Sequence, residues 1–251
     1  MDSKSIDYSV EWLVNEVGGR EHILAQLIEL KSEFGVTGQL VVELGSGIGT
    51  NLQVFLSDNK VLGVEGLEAA VSESVKRGRS AILADLEQPL EMIMSDVGCV
   101  LCLDVLEHLM RPEVCLASAH SMLREDGILI INVPNHFGWR GRLRVLFGSG
   151  IDSQKYFPNS NHWQYPHVRF FQRASIEQLL NSCGFKISRD LSPNFPDLPK
   201  ARLLNKIGLG CLVASFVKAY PDLFASGFFL VCRKSDGANP ADLSRIFDSN
   251  T

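Results

Sequence analysis

Apolar residues along this chain recur with two periods, and the periods alternate. Ile23, Leu24, Leu27, Ile28 and Leu30 form a stripe near a 3.6-residue spacing, which predicts a helix within residues 9–34, stopped by Gly35 and Gly38. Short apolar runs of strand length follow at 39–44, 61–64, 80–84, 97–103 and 128–133. Helical stretches lie between them at 50–57, 67–77 and 112–123; Gly78 suits the end of the second and Pro112 the start of the third. Asp126-Gly127 predicts a turn into the fifth strand, and Pro134 and Asn135 end that strand. The run 97–103 is apolar almost throughout, as a strand buried on both faces requires. Further on come a helix over 173–183 stopped by Gly184, a strand over 185–191, a loop marked by Pro193, Pro196 and Pro199, an apolar helical stretch over 201–218 and a strand over 227–233. Strands that alternate with helices predict an α/β fold built on a doubly wound, Rossmann-like parallel sheet.

The pattern shows no repeat and no second core, so it predicts one domain over residues 1–251. Residues 1–38 would form a leading helical cap. Residues 136–170 break the alternation and are rich in His, Trp, Tyr and Arg; an insertion of that length at the mouth of a compact fold is usually functional, and a lid over a substrate is expected here. Residues 192–226 would be a second helical insertion, buried or covering a cleft, and the polar tail 235–251 is expected to be loose.

Composition narrows the function classes. A hydrophobic share of 45% is ample for a core, and a net charge of -5 argues against a general nucleic-acid binder. The longest apolar stretch, from Ile207 to Val217, is about half of the roughly 20 residues that a bilayer demands, so no membrane span is expected. The opening residues lack a signal-like apolar core, and several of the six cysteines lie in apolar runs; reduced thiols and a cytoplasmic location follow as expectations. Cys99 and Cys102 form a C-x-x-C inside a strand-like run with no partner pair at zinc spacing, so no metal site is expected. The oligomeric state cannot be read from the sequence.

The chemistry centres on VVELGSGIGT, residues 41–50. A strand ends at Glu43, and Gly45, Gly47 and Gly49 alternate with Ser46 and Ile48. Glycines let the backbone turn sharply and come close to a ligand, and the start of a following helix offers free N–H groups. An acidic residue beside them favours a cationic ligand. The dinucleotide fingerprint asks for a small residue at position 50, where Thr50 stands. Strand two ends in Glu65, about 20 residues after Gly45, where a carboxylate accepts two hydrogen bonds at once from ribose hydroxyls or serves only as a solvated turn residue. Strand three ends at Asp85. Three acidic residues thus fall at the carboxyl ends of successive strands, where ligands bind in such sheets.

The motif E-x-G-x-G-x-G, the acidic strand ends and the segment DVLEHL at 104–109 resemble class I S-adenosylmethionine-dependent methyltransferases over roughly residues 38–234. The stretches NVPNHFGWRGRLRVLFG and HVRFFQRASIEQLLNSCGF are similar to a narrower branch, which includes methionine-biosynthesis methyltransferase-like proteins and methyltransferases of bacterial sugar and polysaccharide pathways. The resemblance implies a seven-stranded sheet, mostly parallel with its last strand antiparallel. It also implies S-adenosyl-L-methionine as cofactor, held by Glu43, Gly45, Ser46, Gly47, Gly49, Glu65 and Gly66. Asp85 and Leu86 would meet the adenine, and Asp104 the methionine part, while His108 would either face the donor pocket or cap a helix. Ser46 stands where many members carry Cys or Ala, and Gly66 where a side chain often packs on the cofactor.

The implied reaction moves a methyl group from a sulfonium to an oxygen or nitrogen atom of a small molecule, a sugar or other metabolite. Such an acceptor also loses a proton, and a neutral imidazole suits that task near pH 7. His136, His162 and His167 are the candidates, with His167 first. Trp139, Trp163 and Tyr165 offer aromatic surface to the substrate, and Arg140 and Arg144, spaced to share a helix face, would either bind an anionic group or form a solvated basic face. Two other classes remain. One is a catalytically silent cofactor-binding partner protein. The other is an NAD-dependent oxidoreductase or epimerase, against which Thr50 and the lack of a Tyr-x-x-x-Lys pair count.

Overall fold

The computed structural model describes residues 20–90, 95–148, 167–198, 204 and 206–235. Helix α1 (Glu21–Glu33) is followed by β1 (Leu40–Leu44), β2 (Lys60–Glu65), α2 (Glu68–Lys76), β3 (Ala81–Leu83), β4 (Val97–Leu103), α3 (Pro112–Met122) and β5 (Leu123–Pro134). Then come α4 (Trp139–Leu146), α5 (Arg173–Ser182), β6 (Phe185–Asp190), α6 (Gly210–Ala219), α7 (Pro221–Phe224) and β7 (Gly227–Lys234). The seven strands form one sheet in the order β3-β2-β1-β4-β5-β7-β6. β1 runs parallel to β2 and β4, β2 runs parallel to β3, and the last strand, β7, runs antiparallel to β6. This is the α/β, Rossmann-like, mostly parallel sheet that the apolar pattern and the resemblance imply.

The chain divides into two compact units: Met1–Cys102, Glu113–Leu129 and Pro240–Thr251 make the first, and Leu103–Pro112 with Ile130–Asn239 the second. In the first, every residue of β4 up to Cys102 is buried, and Val41, Val42 and Leu44 of β1 and Val64 of β2 are fully covered. Ile23, Leu27 and Leu30 are the buried face of α1, and Lys31 of its last turn reaches Asp58 at 2.5 Å. That contact holds the Asp58 carboxyl below its ordinary range. In the second unit, Phe185 of β6 and Phe228 and Phe229 of β7 are fully buried, and Ile176 and Leu180 are the covered face of α5. Gln172 and Ser175 cap α5 reciprocally, and Gly184, at φ +78°, ends it.

Three local expectations change. Residues 50–57 make only a 3-10 turn, Asn51–Val54, because Leu52 and Phe55 supply the run's buried apolar contacts and no longer stripe exists to sustain an α-helix. The strand β5 begins at Leu123, so Asp126-Gly127 lie in extended chain, where strand pairing overrides the turn chemistry of the dipeptide. The stretch 201–218 is not a uniformly buried helix: within Gly210–Ala219, Val213 and Val217 are covered, packing with Ala225, Leu198, Leu204 and Phe224, whereas Leu212 and Phe216 are exposed. Most of 136–166, including His162, Trp163 and Tyr165, and the tail beyond Ser235 lie outside the described residues.

All six cysteines are free thiols, and only Cys211, the second residue of α6, is exposed. Burial pushes the Cys232 thiol up to about 12 and raises that of Cys99 further. Since the thiolate is the reactive form, one cysteine of the native chain, Cys211, is expected to react rapidly with an aromatic disulfide reagent, and all six in denaturant. A native count above one, or unchanged rapid labelling in Cys211→Ser, would contradict this packing.

Candidate functional site

The glycine loop of the first unit is shaped by its amides. Gly45, Gly47 and Gly49 have φ of +73°, +53° and +74°, the left-handed region that suits residues without a Cβ. The Gly45 and Ser46 N–H groups both donate to the Val64 carbonyl of β2, at 2.8 and 3.1 Å. The Gly47 N–H donates to Glu65 Oε2 at 2.7 Å, and the Leu67 N–H to Glu65 Oε1 at 3.0 Å. One carboxylate at the end of β2 therefore straps the loop that leaves β1 and the entry to α2. Each of its oxygens retains a second lone-pair direction.

The neighbours of this strap fall into two groups. Glu43 is buried in β1, and its Oε1 accepts from Asn51 Nδ2 at 2.6 Å, so it ties the turn after the loop back to the strand. The Ser46 hydroxyl packs against Gly63 of β2, a position where any Cβ would collide with it. A Cβ on Gly49 would strike Ser74 and the Arg79 side chain. Burial lowers the Arg79 pKa, the nearby Arg77 charge lowers it further, and the negative charge of Glu43 opposes both. These residues build the loop. Gly66 and Asp85 are exposed, Asp85 accepting from the Glu87 N–H at 2.9 Å, and Leu86, next in the chain, is buried. The first-unit residues expected to hold a donor are thus brought together at the ends of β1, β2 and β3, with Glu65, Gly66 and Asp85 on the accessible side. A nucleoside with a cationic tail fits this set: backbone amides and a two-pronged acceptor at Glu65, an acid with an apolar floor at Asp85 and Leu86.

The second unit holds Asp104 and the histidines. Asp104 follows β4 at φ +58°, a conformation that a short polar side chain tolerates. Its N–H donates to the Asn132 carbonyl at 2.9 Å, and its Oδ1 accepts from Asn132 Nδ2 at 2.5 Å. The DVLEHL segment then makes a 3-10 turn, Leu106–His108, with Glu107 buried. His108 and His167 stack obliquely with ring centroids 4.8 Å apart, and His167 Nδ1 lies 2.7 Å from His136 Nε2. Phe170 closes on His136 edge-on at 5.0 Å. His136 and His167, named separately from the sequence, are therefore one pair, and His108 adjoins it.

The substrate candidates on α4 are engaged locally. The Trp139 indole N–H donates to the Asp197 carbonyl at 2.5 Å, Arg140 pairs with the Asp197 carboxylate at 3.3 Å and lies over the Trp139 ring, and Arg144 is exposed. Sequence reasoning missed Glu107, Asn132 and Asn135. Asn135 donates to the carbonyls of Pro221, Asp222 and Ala225 and accepts from the Phe137 N–H, anchoring the start of the segment that carries His136. The sequence signal was present, in asparagines that bracket the end of β5.

The model of a methyltransferase domain matches residues 18–189 of the chain. No curated protein matches it in sequence. Among solved structures, magnesium protoporphyrin IX methyltransferase from Synechocystis with bound SAH is 16% identical, with TM-score 0.58 over 86% of this chain and 84% of that one. A TehB-like SAM-dependent methyltransferase from Corynebacterium glutamicum is 13% identical, with TM-score 0.58 over 93% and 100%. A putative methyltransferase from Haloferax volcanii, solved with the Trm112 methyltransferase activator, is 14% identical, with TM-score 0.57 over 91% and 98%. At these identities the likeness is one of fold.

The strap makes a prediction of its own. Glu65→Ala leaves the Gly47 amide without its acceptor, so hydrogen exchange at residues 45–49 is expected to quicken by about tenfold, as loss of a charge-assisted bond worth roughly 1.5–3 kcal/mol implies. Unchanged protection in a folded Glu65→Ala protein would show that the loop holds itself.

Proposed function

The chain belongs to the methyltransferase-domain family, and on that premise we propose that it transfers a methyl group from S-adenosyl-L-methionine to an oxygen or nitrogen atom of a small molecule, a sugar or other metabolite. A methyltransferase domain uses S-adenosylmethionine, which supplies an electrophilic methyl on a sulfonium. The observation that carries the reading is the Glu65 carboxylate, which organises the glycine loop and keeps accepting capacity at the end of β2. Glu65 would accept from ribose hydroxyls, the Gly45–Gly49 backbone would lie along the cofactor, and Asp85 with Leu86 would receive the adenine. Gly66 leaves open space there, with only the Ala84 carbonyl at 3.7 Å from where its Cβ would stand.

Because the donor is already activated, the protein's task is alignment and removal of the acceptor's proton. The pair His136 and His167 supports that second role: a ring nitrogen of one already holds the ring of the other, so a proton taken by one imidazole has a neighbour that fixes the ring's orientation. The aromatic and arginine side chains of α4 would contribute to acceptor choice. The finer assignment, to the branch found with sugar and polysaccharide pathways, rests on the sequence resemblance of residues 132–148 and 167–185.

Calorimetry is expected to give saturable binding of S-adenosylmethionine and S-adenosylhomocysteine and none of NAD. Glu65→Ala is expected to weaken cofactor binding at least about tenfold. With an acceptor found from a panel of hydroxylated and amino metabolites, His167→Ala should lower turnover and leave cofactor affinity nearly unchanged. Tight cofactor binding with no transfer to any acceptor would favour a silent cofactor-binding partner. Preference for NAD would overturn the reading.

A further inference from the structure

We propose that Glu107, His108 and His167 form a binding site for one divalent first-row transition-metal ion of the zinc class. A carboxylate oxygen and two imidazole nitrogens, one from each residue, lie within 4.8 Å of one another. Around an ion bound at about 2.1 Å, ligand atoms sit roughly 3–3.5 Å apart, so small rotations about the side-chain bonds close the set. Two imidazoles with one carboxylate suit zinc and its transition-metal neighbours; magnesium and calcium take oxygen ligands instead.

The framework fixes this set. Glu107 and His108 share the turn Leu106–His108. The N–H groups of Val168 and Arg169 both donate to the Glu107 carbonyl, at 2.8 and 3.0 Å, and the Arg169 guanidinium donates to the Met110 carbonyl. His167 is thereby held beside Glu107 by main-chain bonds that close a loop of about 60 residues, a separation far outside the short spacings by which metal sites are recognised in sequence. Glu107 is buried while both imidazoles are half-exposed, which places the carboxylate at the base of the site and leaves open positions on the ion. His136 Nε2 lies 2.7 Å from His167 Nδ1, a contact that orients the ring as the outer partners of ligating imidazoles do. An acceptor oxygen bound to the ion would lose its proton more readily; that consequence, unlike the site itself, rests on the methyl-transfer reading.

The test uses the full chain, stripped with chelator and titrated with Zn²⁺ by calorimetry and with Co²⁺ by visible absorption. One ion per chain is expected, with a ligand-field band for Co²⁺ and a rise in Tm on adding Zn²⁺. His108→Ala and His167→Ala, both at half-exposed positions, should each weaken binding by at least about tenfold and abolish the Tm rise, with circular dichroism unchanged. His22→Ala, at an exposed site on α1, should bind as the parent does. Absence of saturable binding at micromolar ion, or affinity equal to the parent's in both histidine variants, would overturn the proposal. None of these readouts needs a methyl donor or acceptor, so failure here would leave the methyl-transfer reading untouched, and failure of cofactor binding would leave the ion site standing.

Discussion

Two backbone N–H groups converge on the Glu65 carboxylate, and the glycine loop depends on that convergence. A loop that turns through three left-handed residues has amides with no helical partner, and each one buried without an acceptor costs about 1–3 kcal/mol. Here the amides of Gly45 and Ser46 find the Val64 carbonyl, and that of Gly47 finds Glu65. The loop that leaves β1 is therefore bonded to β2. The parallel register Leu44↔Val64 makes this possible, because it sets the ends of the two strands level. Sheet pairing, loop shape and the chemistry of the strand ends are one arrangement.

Much of this arrangement is legible in the sequence. β4 matches its expected bounds because a continuous apolar run has only one way to be buried in a parallel sheet. The acidic strand ends were legible because the strands were. Glu43 was legible as chemistry but not as architecture: its position beside the glycines suggests a ligand, whereas its burial and its bond to Asn51 make it a brace for the turn. The histidine cluster was not legible, since His108, His136 and His167 come together through chain returns that no local period encodes. The sequence offers Trp139 as substrate surface and Arg140 as either an anion contact or a solvated basic face, and in the structure both have a partner in Asp197.

The apolar share of the sequence is not all in the core. Leu146 and Phe147 at the end of α4 and Ile207, Leu212 and Phe216 at and near α6 are exposed, all in the second unit, whereas β1 and β4 of the first unit are covered almost completely. Ile28, Leu56, Val75 and Leu83 of the first unit are exposed as well; single exposed apolar residues of this kind are ordinary.

The Asp104–Asn132 clamp bears on how this sequence can drift. Asp104 needs a side chain short enough for φ +58° and an acceptor for the Asn132 amide, two demands that Asp, Asn and little else meet together. Asn132 in turn must donate to that side chain while its carbonyl takes the Asp104 N–H. An acidic residue at both positions would place two carboxylates about one hydrogen bond apart, and an alanine at either would remove the side-chain bond and leave only the main-chain one. Positions 28 apart in the chain are thus physically coupled: a substitution at one narrows the side chains that fit at the other.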